Sequence, residues 1–438
     1  MHVAERYFDV FPRVIPADCV SVISLRPAFS NVAFPAEEKI SLSLVCLSDH
    51  GGDKAVRSFH LEKGTLVAEV FFPGEQEHVL EVTIAEQPAR EKSSFAHRLN
   101  GELKMRFRFY SLREDLLHLR PFKGDFHAHS HLSDGNESPE YVACRYRQEG
   151  FDFMAITDHF AYAPSLLAVD YWRDLKTGFK VFPGEEVHLP DNNAHIVNFG
   201  GNASVNCAAR EDEEKYRREV AEICATLPPG ENTFSDGSSE WAIRKIKEFK
   251  GLSVFCHPYW EESFGYSIPE SLTDSLIKRH NFDALEVISG FYRHQWRSQA
   301  VQSVRYLHET ALGNQMPVLG TSDAHCFDGG ALFNWFYTLV FAPTNELGDI
   351  IEAVRSKRSL AVISNEGQFP GVIGDFRLAK YGTFLMDEYL PRHTALCRIE
   401  GDLMMEKLRG SQTASKCLEN LGAPASDFRE QYFLYGID

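Results

Sequence analysis

The sequence predicts an α/β protein in which alternating strands and helices follow a β-rich N-terminal domain. Apolar, β-branched runs fill the first 118 residues, and from Phe122 such runs alternate with helical patterns. Charged and histidine residues follow several of the later runs, as side chains do at the mouth of an α/β barrel. We expect a β-rich accessory domain over 1–118, a barrel over 119–368, and a C-terminal extension over 369–438 packed on the barrel.

The N-terminal region is predicted to be an antiparallel, sandwich-like domain. Its short apolar runs are separated by turn-forming segments, which is typical of a β-sandwich. The predicted strands are Cys19–Leu25, Lys39–Leu47, Leu66–Phe72, His78–Ile84 and Glu102–Tyr110. No cluster of catalytic residue types occurs here. Three roles stay open: a lid, an oligomer contact, or a substrate-recognition module.

Seven strands are predicted in the barrel region. They are Gly124–His129, Phe151–Thr157, Phe179–Val187, Ala194–Phe199, Gly251–Cys256, Phe282–Ile288 and Met316–Gly320. Ser138 and Pro139 are a good N-cap and first helical residue. Helical apolar spacing predicts Arg210–Thr226, Ser239–Lys250, Gln295–Leu312 and Leu347–Ser356 as helices, with Asn232–Ser239 as a loop. A further helix is predicted over Asp402–Lys416, where no catalytic residues stand out.

The segment Lys123–Gly135, KGDFHAHSHLSDG, holds three histidines and two aspartates. If Gly124–His129 is a strand, its period of two places Asp125, His127 and His129 on one face. A lone H-x-H would more often be a solvent-facing loop. Further ligand-type residues follow later apolar runs: Asp158, His159, Glu185, Glu186, His188, His195, His257, Asp323 and His325. This repeated clustering predicts a metal site.

The ordered motifs resemble those of the PHP (polymerase and histidinol phosphatase) superfamily. They are GDFHAHSHLSDG, AITDH, Gly184-Glu-Glu, a single His195, Cys256-His-Pro and GTSDAH, and they extend from about Phe122 to Asn365. The resemblance implies an irregular (β/α)7 barrel with up to three metal ions at its mouth. The implied ligands are His127, His129, Asp134, His159, Glu186, His195, His257, Asp323 and His325.

The family pattern selects Glu186 rather than Glu185. Strand alternation then places His188 on the same face and points Glu185 away, as a surface or supporting carboxylate. Pro258 disfavours helical geometry at His257, which we expect to be extended.

Imidazole and carboxylate ligands without thiolate suit Mn²⁺, Zn²⁺ or Fe²⁺. We expect two or three divalent ions, with Glu186 as the shared carboxylate and a bridging hydroxide as the nucleophile. Asp134 and His325 are candidates for assisting the leaving oxygen. His131 and His188 are candidates for a general acid or for supporting the ligands.

Three residues are candidates for substrate binding. Arg293 and Arg210 could clamp a phosphate group, although an exposed arginine is more often simply solvated. Tyr259 could stack on a sugar or base, although an aromatic residue beside a strand end more often packs in the core.

The composition restricts the partners. The formal net charge is −17 at pH 7 and the sequence pI is about 5.5. An acidic chain is a poor binder of nucleic-acid backbone, whose affinity comes from neutralised phosphates. A small phosphorylated substrate stays compatible, because bound cations can reverse the local potential. The N-terminus has no apolar signal-peptide core and no run reaches membrane-spanning length, so we expect a cytoplasmic protein with no membrane partner. The sequence is compatible with an oligomer.

The leading hypothesis is metal-dependent hydrolysis of a phosphate ester, either a monoester or a diester, of a small molecule or nucleotide. One alternative keeps the metal site and changes the bond to a non-phosphate ester, lactone or amide. Another treats the N-terminal domain as a module that binds a glycan or a protein.

Overall fold

The computed structural model describes residues 6–48, 55–85, 102–231, 233–262, 265–290, 295–327, 333–365 and 367–433. The chain divides into two compact units. The first unit comprises Met1–Arg120, Thr383–His393 and Ser426–Asp438, and the second comprises Pro121–Gly382 and Thr394–Ala425. The tail after residue 369 thus contributes to both units, and the domain boundaries at residues 118 and 368 stay predictions.

The first unit contains two four-stranded sheets, ordered β1-β3-β6-β5 and β2-β8-β7-β4. Its elements are β1 (Phe8–Phe11), β2 (Val14–Pro16), β3 (Cys19–Pro27), β4 (Ile40–Cys46), β5 (Val56–Glu62), β6 (Thr65–Phe72), β7 (Glu77–Ala85), β8 (Glu102–Leu112) and α1 (Glu114–Leu117). Neighbouring strands are antiparallel except β2 and β8, which are parallel. Strands β1, β2 and β5 were not predicted, because they are short or largely polar.

Period-two alternation builds the core of this unit. On β6, Leu66, Ala68, Val70 and Phe72 are buried. They join one apolar cluster with side chains from the other sheet, among them Leu80 of β7 and Phe107 of β8. Residues of both sheets therefore share one core, which is what burying one face of each sheet requires.

The second unit contains two larger sheets, ordered β11-β10-β9-β19-β20-β21 and β12-β13-β14-β17-β18, and a small hairpin of β15 and β16. The strands are β9 (Arg120–Asp125), β10 (Phe153–Ala155), β11 (Lys180–Phe182), β12 (Gly184–Val187), β13 (Ile196–Phe199), β14 (Leu252–Phe255), β15 (Glu261–Glu262), β16 (Gly265–Tyr266), β17 (Ala284–Ile288), β18 (Val318–Gly320), β19 (Phe336–Ala342), β20 (Ser359–Ile363) and β21 (Gly371–Gly374).

Each predicted barrel strand overlaps an observed strand. The first lies over Arg120–Asp125, four positions earlier than predicted, and the third is divided in two. The others are shorter than predicted. Pro183 lies between β11 in one sheet and β12 in the other. Proline has no N–H to donate, so the chain can change sheets at this residue. Pairings β12–β13 and β13–β14 are antiparallel, whereas β9–β10, β10–β11, β14–β17 and β17–β18 are parallel.

Among the described residues, the two sheets do not close into one hydrogen-bonded ring. Two single parallel bridges pair Ala128 with Ala324 and His159 with Glu186. The structure therefore shows a mixed α/β unit, and the closed (β/α)7 barrel stays a prediction.

The described helices after α1 include counterparts of the helices predicted in the barrel region, and also Ala163–Tyr171 and Glu270–Arg279, which were not predicted. They are α2 (Pro139–Gln148), α3 (Ala163–Tyr171), α4 (Val205–Glu211), α5 (Glu213–Cys224), α6 (Phe234–Glu248), α7 (Glu270–Arg279), α8 (Trp296–Ala311), α9 (Leu347–Arg355), α10 (Phe376–Glu388), α11 (Leu390–Leu408), α12 (Gln412–Leu421) and α13 (Pro424–Tyr432). No helix of the described part of the chain is long and apolar enough to cross a bilayer.

Helix caps explain where prediction and structure agree and differ. The Ser138 hydroxyl accepts a hydrogen bond from the amide of Tyr141 (3.3 Å) and starts α2 as predicted. The Thr233 hydroxyl accepts from the amide of Asp236 (3.2 Å), so α6 starts at Phe234 and the loop predicted up to Ser239 is wrong. The helix predicted over Asp402–Lys416 is also wrong, because α11 ends before Gly410, whose φ is +92°.

Candidate metal centre

The first ligand segment follows β9 as an irregular loop. The strand ends at Asp125, so the alternation predicted up to His129 is wrong beyond that residue. Asp125 does not join the histidines: its Oδ2 accepts from the Tyr146 hydroxyl (2.8 Å) and from the amide of Ser322 (3.2 Å). Its Oδ1 accepts from the amide of His127 (3.2 Å), which fixes the start of the loop.

Backbone hydrogen bonds hold two ligand loops side by side. The amide of His129 donates to the carbonyl of Ala324 (2.8 Å), and the amide of Asp323 donates to the carbonyl of His127 (3.0 Å). These bonds bring together residues that are almost 200 positions apart in sequence. Asp323 reaches the site with a φ of +49°, in the left-handed region.

Glu186 is the central carboxylate and its side chain is fully buried. Its Oε2 lies 2.8 Å from Nδ1 of His159, 3.4 Å from Nε2 of His127 and 3.5 Å from Nε2 of His129. Its Oε1 lies 2.9 Å from Nδ1 of His195 and 3.3 Å from Nε2 of His257. Glu186 therefore faces five of the predicted histidine ligands.

Asp323 provides a second carboxylate on the inner side. Its Oδ1 lies 3.0 Å from Nε2 of His129 and 3.3 Å from Nε2 of His127. Both histidines thus lie between Glu186 and Asp323, an arrangement that can share ligands between neighbouring ions.

Asp134 forms the outer part of the site, where its side chain is 52% exposed. Its Oδ2 lies 3.1 Å from Nε2 of His325 and 3.3 Å from Nε2 of His159. Asp158 holds this loop in place, since it accepts from the amide of Ser130 (2.6 Å) and the hydroxyl of Ser133 (2.7 Å). All nine predicted ligands therefore converge on one region.

The donor set fits divalent metal ions. Metal–nitrogen and metal–oxygen bonds are about 2.0–2.2 Å long, so ligands of one ion lie about 3 Å apart, as these atoms do. Among the described residues, several buried atoms of the cluster make no hydrogen bond of acceptable geometry, although other ligand atoms lie close to them: Nε2 of His127, Nδ1 of His129, Nδ1 of His195, Nδ1 of His257 and both oxygens of Glu186. Such atoms are costly unless a ligand satisfies them, and most of them face the cluster.

The electrostatics of the cluster also favour cations. Burial opposes the charge of Glu186, but His159 and the other imidazoles lower its pKa well below the usual range. Burial opposes protonation of His159, but the carboxylates of Glu186 and Asp134 raise its pKa to about 10. Burial lowers the pKa of His129 to about 3 and that of His195 to about 4, which leaves these rings neutral and able to act as ligands.

Glu286 is a site residue whose role sequence reasoning missed. Its Oε1 lies 3.0 Å from Nδ1 of His127, and its Oε2 accepts from the amide of His257 (2.7 Å). Because a carboxylate only accepts, His127 donates from Nδ1 and directs the lone pair of Nε2 towards Glu186 and Asp323. The sequence signal that could have identified Glu286 was a single carboxylate inside the otherwise apolar strand β17, where it is buried. Cys256 lies within the same group of possible ligands, but burial raises the pKa of its thiol.

Glu185 points away from the metal cluster, as alternation predicted, but it is buried rather than at the surface. It accepts from the Ser204 hydroxyl (2.7 Å), the amide of Val205 (2.5 Å) and the side-chain amides of Asn198 (3.0 Å) and Asn206 (2.9 Å).

His188 lies on the Glu186 side, with Nε2 2.7 Å from Nδ1 of His159 and 3.5 Å from Oε2 of Glu186.

His257 was expected to be extended, and this expectation is wrong. Its φ is +23°, because its amide turns towards Glu286 where β14 has ended. The preference imposed by the following proline is overridden by this buried charge-assisted hydrogen bond.

The remaining candidates are less central. His131 is exposed, with Nδ1 3.1 Å from the Glu137 carbonyl. The guanidinium of Arg210 donates to the Phe160 carbonyl (2.7 Å). Tyr259 is buried and its hydroxyl accepts from Arg305 (2.8 Å), which favours the packing role. Arg293 lies outside the described residues. Substrate contacts of all these residues stay predictions.

The comparisons with known proteins give only distant structural matches. No family model and no curated protein match the chain. A two-domain protein from Bacteroides vulgatus, which contains a predicted PHP-like metal-dependent phosphoesterase, is 19% identical. The match covers 57% of this chain and 66% of that chain, slightly less than two thirds of its length, with a TM-score of 0.39.

Two further solved structures match 46% of this chain and 87% of their own chains. One, from Bifidobacterium adolescentis, has a metal-dependent phosphoesterase assignment that is itself a prediction, with 20% identity and a TM-score of 0.32. The other is an amidohydrolase from Chromobacterium violaceum with bound sulfate and no metal, with 19% identity and a TM-score of 0.30. Overlaps of this size say nothing about activity, which has to be inferred from the side chains of the site.

Proposed function

We propose that this protein is a metal-dependent phosphoesterase of the PHP type, with a (β/α)7 barrel preceded by a β-sandwich. One observation carries the proposal: Glu186, Asp323 and Asp134 converge on the six predicted histidine ligands, while buried nitrogens and oxygens of the cluster make no hydrogen bond of acceptable geometry among the described residues. A structural polar network would satisfy these atoms, whereas a metal site leaves them for its ions.

We propose that two or three divalent ions of Mn, Zn or Fe bind here. His127, His129, His257, Asp323 and Glu186 form the inner group, and His129, Asp134, His159 and His325 form the outer group. Glu186 also faces His195, so it is the candidate shared carboxylate. When bound, such ions lower the pKa of coordinated water and polarise the oxygens of a phosphoryl group.

Residues beside the predicted ligands orient them and provide groups that can transfer a proton. Glu286 holds Nδ1 of His127, and Asp158 holds the loop that carries Asp134. Asp134 and Nε2 of His325 form a pair at the exposed edge, where a proton could pass to the leaving oxygen. Nε2 of His188 shares a hydrogen bond with Nδ1 of His159, which suits a supporting role.

The substrate we propose is a small phosphate ester. The formal net charge of −17 disfavours binding along a nucleic-acid backbone, since that affinity grows with the number of neutralised phosphates. A compact monoanionic or dianionic group can still enter, because divalent ions reverse the potential of the carboxylates locally.

The decisive experiment is a Mn²⁺-supplemented turnover screen over phosphomonoesters, phosphodiesters and nucleotides. The double variant His127→Ala/His129→Ala is expected to lose turnover and bound metal, whereas His60→Ala, an exposed histidine of the first unit, is expected to keep both. Exhaustive chelation should abolish activity, and Mn²⁺ should restore it. Turnover that persists after chelation or in the double variant, or turnover of lactones or amides alone, would contradict the proposal.

A further inference from the structure

Phe160 places an aromatic ring at the edge of the histidine cluster. It directly follows the ligand candidate His159 and is 53% exposed. Its ring centroid lies 4.7 Å from that of His188 and 6.4 Å from that of His159. A single exposed apolar side chain needs no explanation by itself, so the backbone and the surroundings of Phe160 decide its meaning.

The backbone of Phe160 is in the left-handed region, with a φ of +58°. Asn, Asp and Gly adopt this conformation readily, whereas a bulky aromatic residue does so only when its surroundings enforce it. A strained conformation of this kind costs folding free energy, and such residues concentrate at functional sites. Phe160 is thus an unfavourable residue for its own backbone position.

Arg210 holds this conformation. Its Nη2 donates to the carbonyl oxygen of Phe160 (2.7 Å) and its Nε donates to the carbonyl oxygen of Asn206 (3.3 Å). Asn206 is itself fixed, because its side-chain amide donates to the backbone carbonyl of Glu186 (3.0 Å). The segment after His159 is therefore tied to the strand that carries the central carboxylate.

The exposure of the side chains at the site shows which of them a substrate can reach. Glu186 and His129 are fully buried, whereas the side chains of His159, His188 and His195 are 20%, 16% and 24% exposed. These three rings therefore form one solvent-accessible edge of the site, and Asp134, with a side chain 52% exposed, forms another. Phe160 packs on His188 with part of its ring and keeps the rest in solvent on the side of the three histidines.

We propose that Phe160 is a specificity-determining residue that stacks on a planar ring of the substrate. This inference rests on the proposed function and narrows it to phosphate esters whose alcohol part carries an aromatic ring, either a nucleobase or an aryl group. A half-exposed aromatic ring binds such planar groups well and binds a sugar or alkyl chain less well. Arg210 is then a positioning residue for Phe160.

The test compares ligands that differ only in the ring. Binding of adenosine 5′-monophosphate and ribose 5-phosphate to the Mn²⁺-loaded protein is measured by titration calorimetry, together with KM and kcat for both. The wild type should prefer the nucleotide about ten-fold, mainly in Kd and KM, since stacking is equal in ground and transition states. Phe160→Asn should reduce the preference to less than about two-fold, and Phe160→Trp should retain it.

The source of the planar ring is resolved by a second pair, 2-phenylethyl phosphate and butyl phosphate. A preference for both ring-bearing ligands indicates a site that stacks on any aromatic ring. A preference for the nucleotide alone indicates a nucleobase site. Leu132→Asn is the matched control, because Leu132 is 44% exposed on the loop that carries Asp134. This control should leave both ratios unchanged.

Three outcomes would overturn the inference: equal binding of ring-bearing and ring-free ligands by the wild type, an unchanged preference in Phe160→Asn, or a clear fall in the melting temperature of Phe160→Asn. Asparagine suits a φ of +58° better than phenylalanine does, so the variant should be at least as stable as the wild type unless the ring is structural. If no phosphate ester is turned over, the proposed function fails, while the binding ratios still test Phe160 separately.

Discussion

The Nδ1 atom of His127 lies 3.0 Å from Oε1 of Glu286, and both side chains are buried. The same carboxyl group accepts hydrogen bonds from the amide of His257 (2.7 Å) and from the hydroxyl of Thr321. One carboxylate thus orients two of the predicted ligands. Interactions of this kind set the tautomer and the basicity of a ligating imidazole.

Replacing Glu286 by glutamine should weaken metal binding about 10- to 100-fold while the fold is kept. The amide can donate to Nδ1 of His127 and so move the ring proton to Nε2, which would remove the lone pair that faces Glu186 and Asp323. Metal affinity measured by competition with a chelator checks this prediction.

Thr321→Val is the matched control for the Glu286 variant. It removes one hydroxyl donor to the same carboxylate and leaves the bond to His127 in place. Its metal affinity should fall only a few-fold. Equal losses in the two variants would show that Glu286 acts through general packing and not through the His127 tautomer.

Substitution by glutamine of the two neighbouring carboxylates on β12 should have opposite effects on metal binding. Glu186→Gln should lose bound metal, because Glu186 faces six imidazoles. Glu185→Gln should keep its metal but lose about 1–3 kcal/mol of stability, since the amide nitrogen of glutamine then faces two of the four donors that surround the carboxylate. Metal content and the melting temperature of each variant distinguish them. Metal loss in Glu185→Gln with retention in Glu186→Gln would assign the roles the other way round.

The predicted ligands were accessible from sequence because they lie in short polar motifs directly after apolar strands. Their partners were less accessible. Glu286 is a single carboxylate in an apolar strand, and the rule that a buried charge must be paired could have marked it as important. Nothing local could have identified His127, more than 150 positions away, as its partner.

Other features depend on contacts that the chain makes only after folding. The third predicted barrel strand is interrupted at Pro183, where the chain passes from one sheet to the other. The role of Tyr259 depends on Arg305, and that of Arg210 depends on Phe160. Neither pairing is visible in residue spacing, because both are set by tertiary packing of distant elements.

A buried ion pair in the second unit should show strong coupling. The guanidinium of Arg147 donates to Oε2 of Glu400 through Nε (2.8 Å) and Nη2 (2.5 Å), and both side chains are fully buried. Arg147→Met should destabilise the protein by about 3–5 kcal/mol, because it leaves the buried carboxylate of Glu400 uncompensated.

The double variant Arg147→Met/Glu400→Leu should recover much of this loss, because it removes both charges at once. Asp152, with Oδ1 3.5 Å from Nη1 of Arg147, would still lose a partner, so recovery should be incomplete. Chemical denaturation of the two single variants and the double variant gives the coupling. Additive losses would mean that the pair contributes nothing beyond its separate side chains.

His78 in the first unit should make stability depend on pH. Its side chain is buried between Cys46 and Ser111, whose Sγ and Oγ lie 3.3 and 2.7 Å from its ring nitrogens. Burial lowers the pKa of His78 from 6.5 to about 4. The unfolded chain therefore binds more protons than the folded chain between these values, so this contribution is complete above pH 6.5 and is lost as pH falls towards 4.

Between pH 6.5 and 4, the free energy of unfolding should lose at most about 3 kcal/mol through His78. This loss should be absent in His78→Gln, because glutamine does not titrate. Exposed His60 provides the control, because His60→Gln should keep the slope of the wild type. Denaturant unfolding of the three proteins at several pH values between 4 and 7.5 measures the difference directly. Since acid also protonates the histidine cluster, the comparison is between slopes and not between absolute stabilities. An identical slope in His78→Gln and wild type would show that the burial of His78 does not govern the acid sensitivity of this unit.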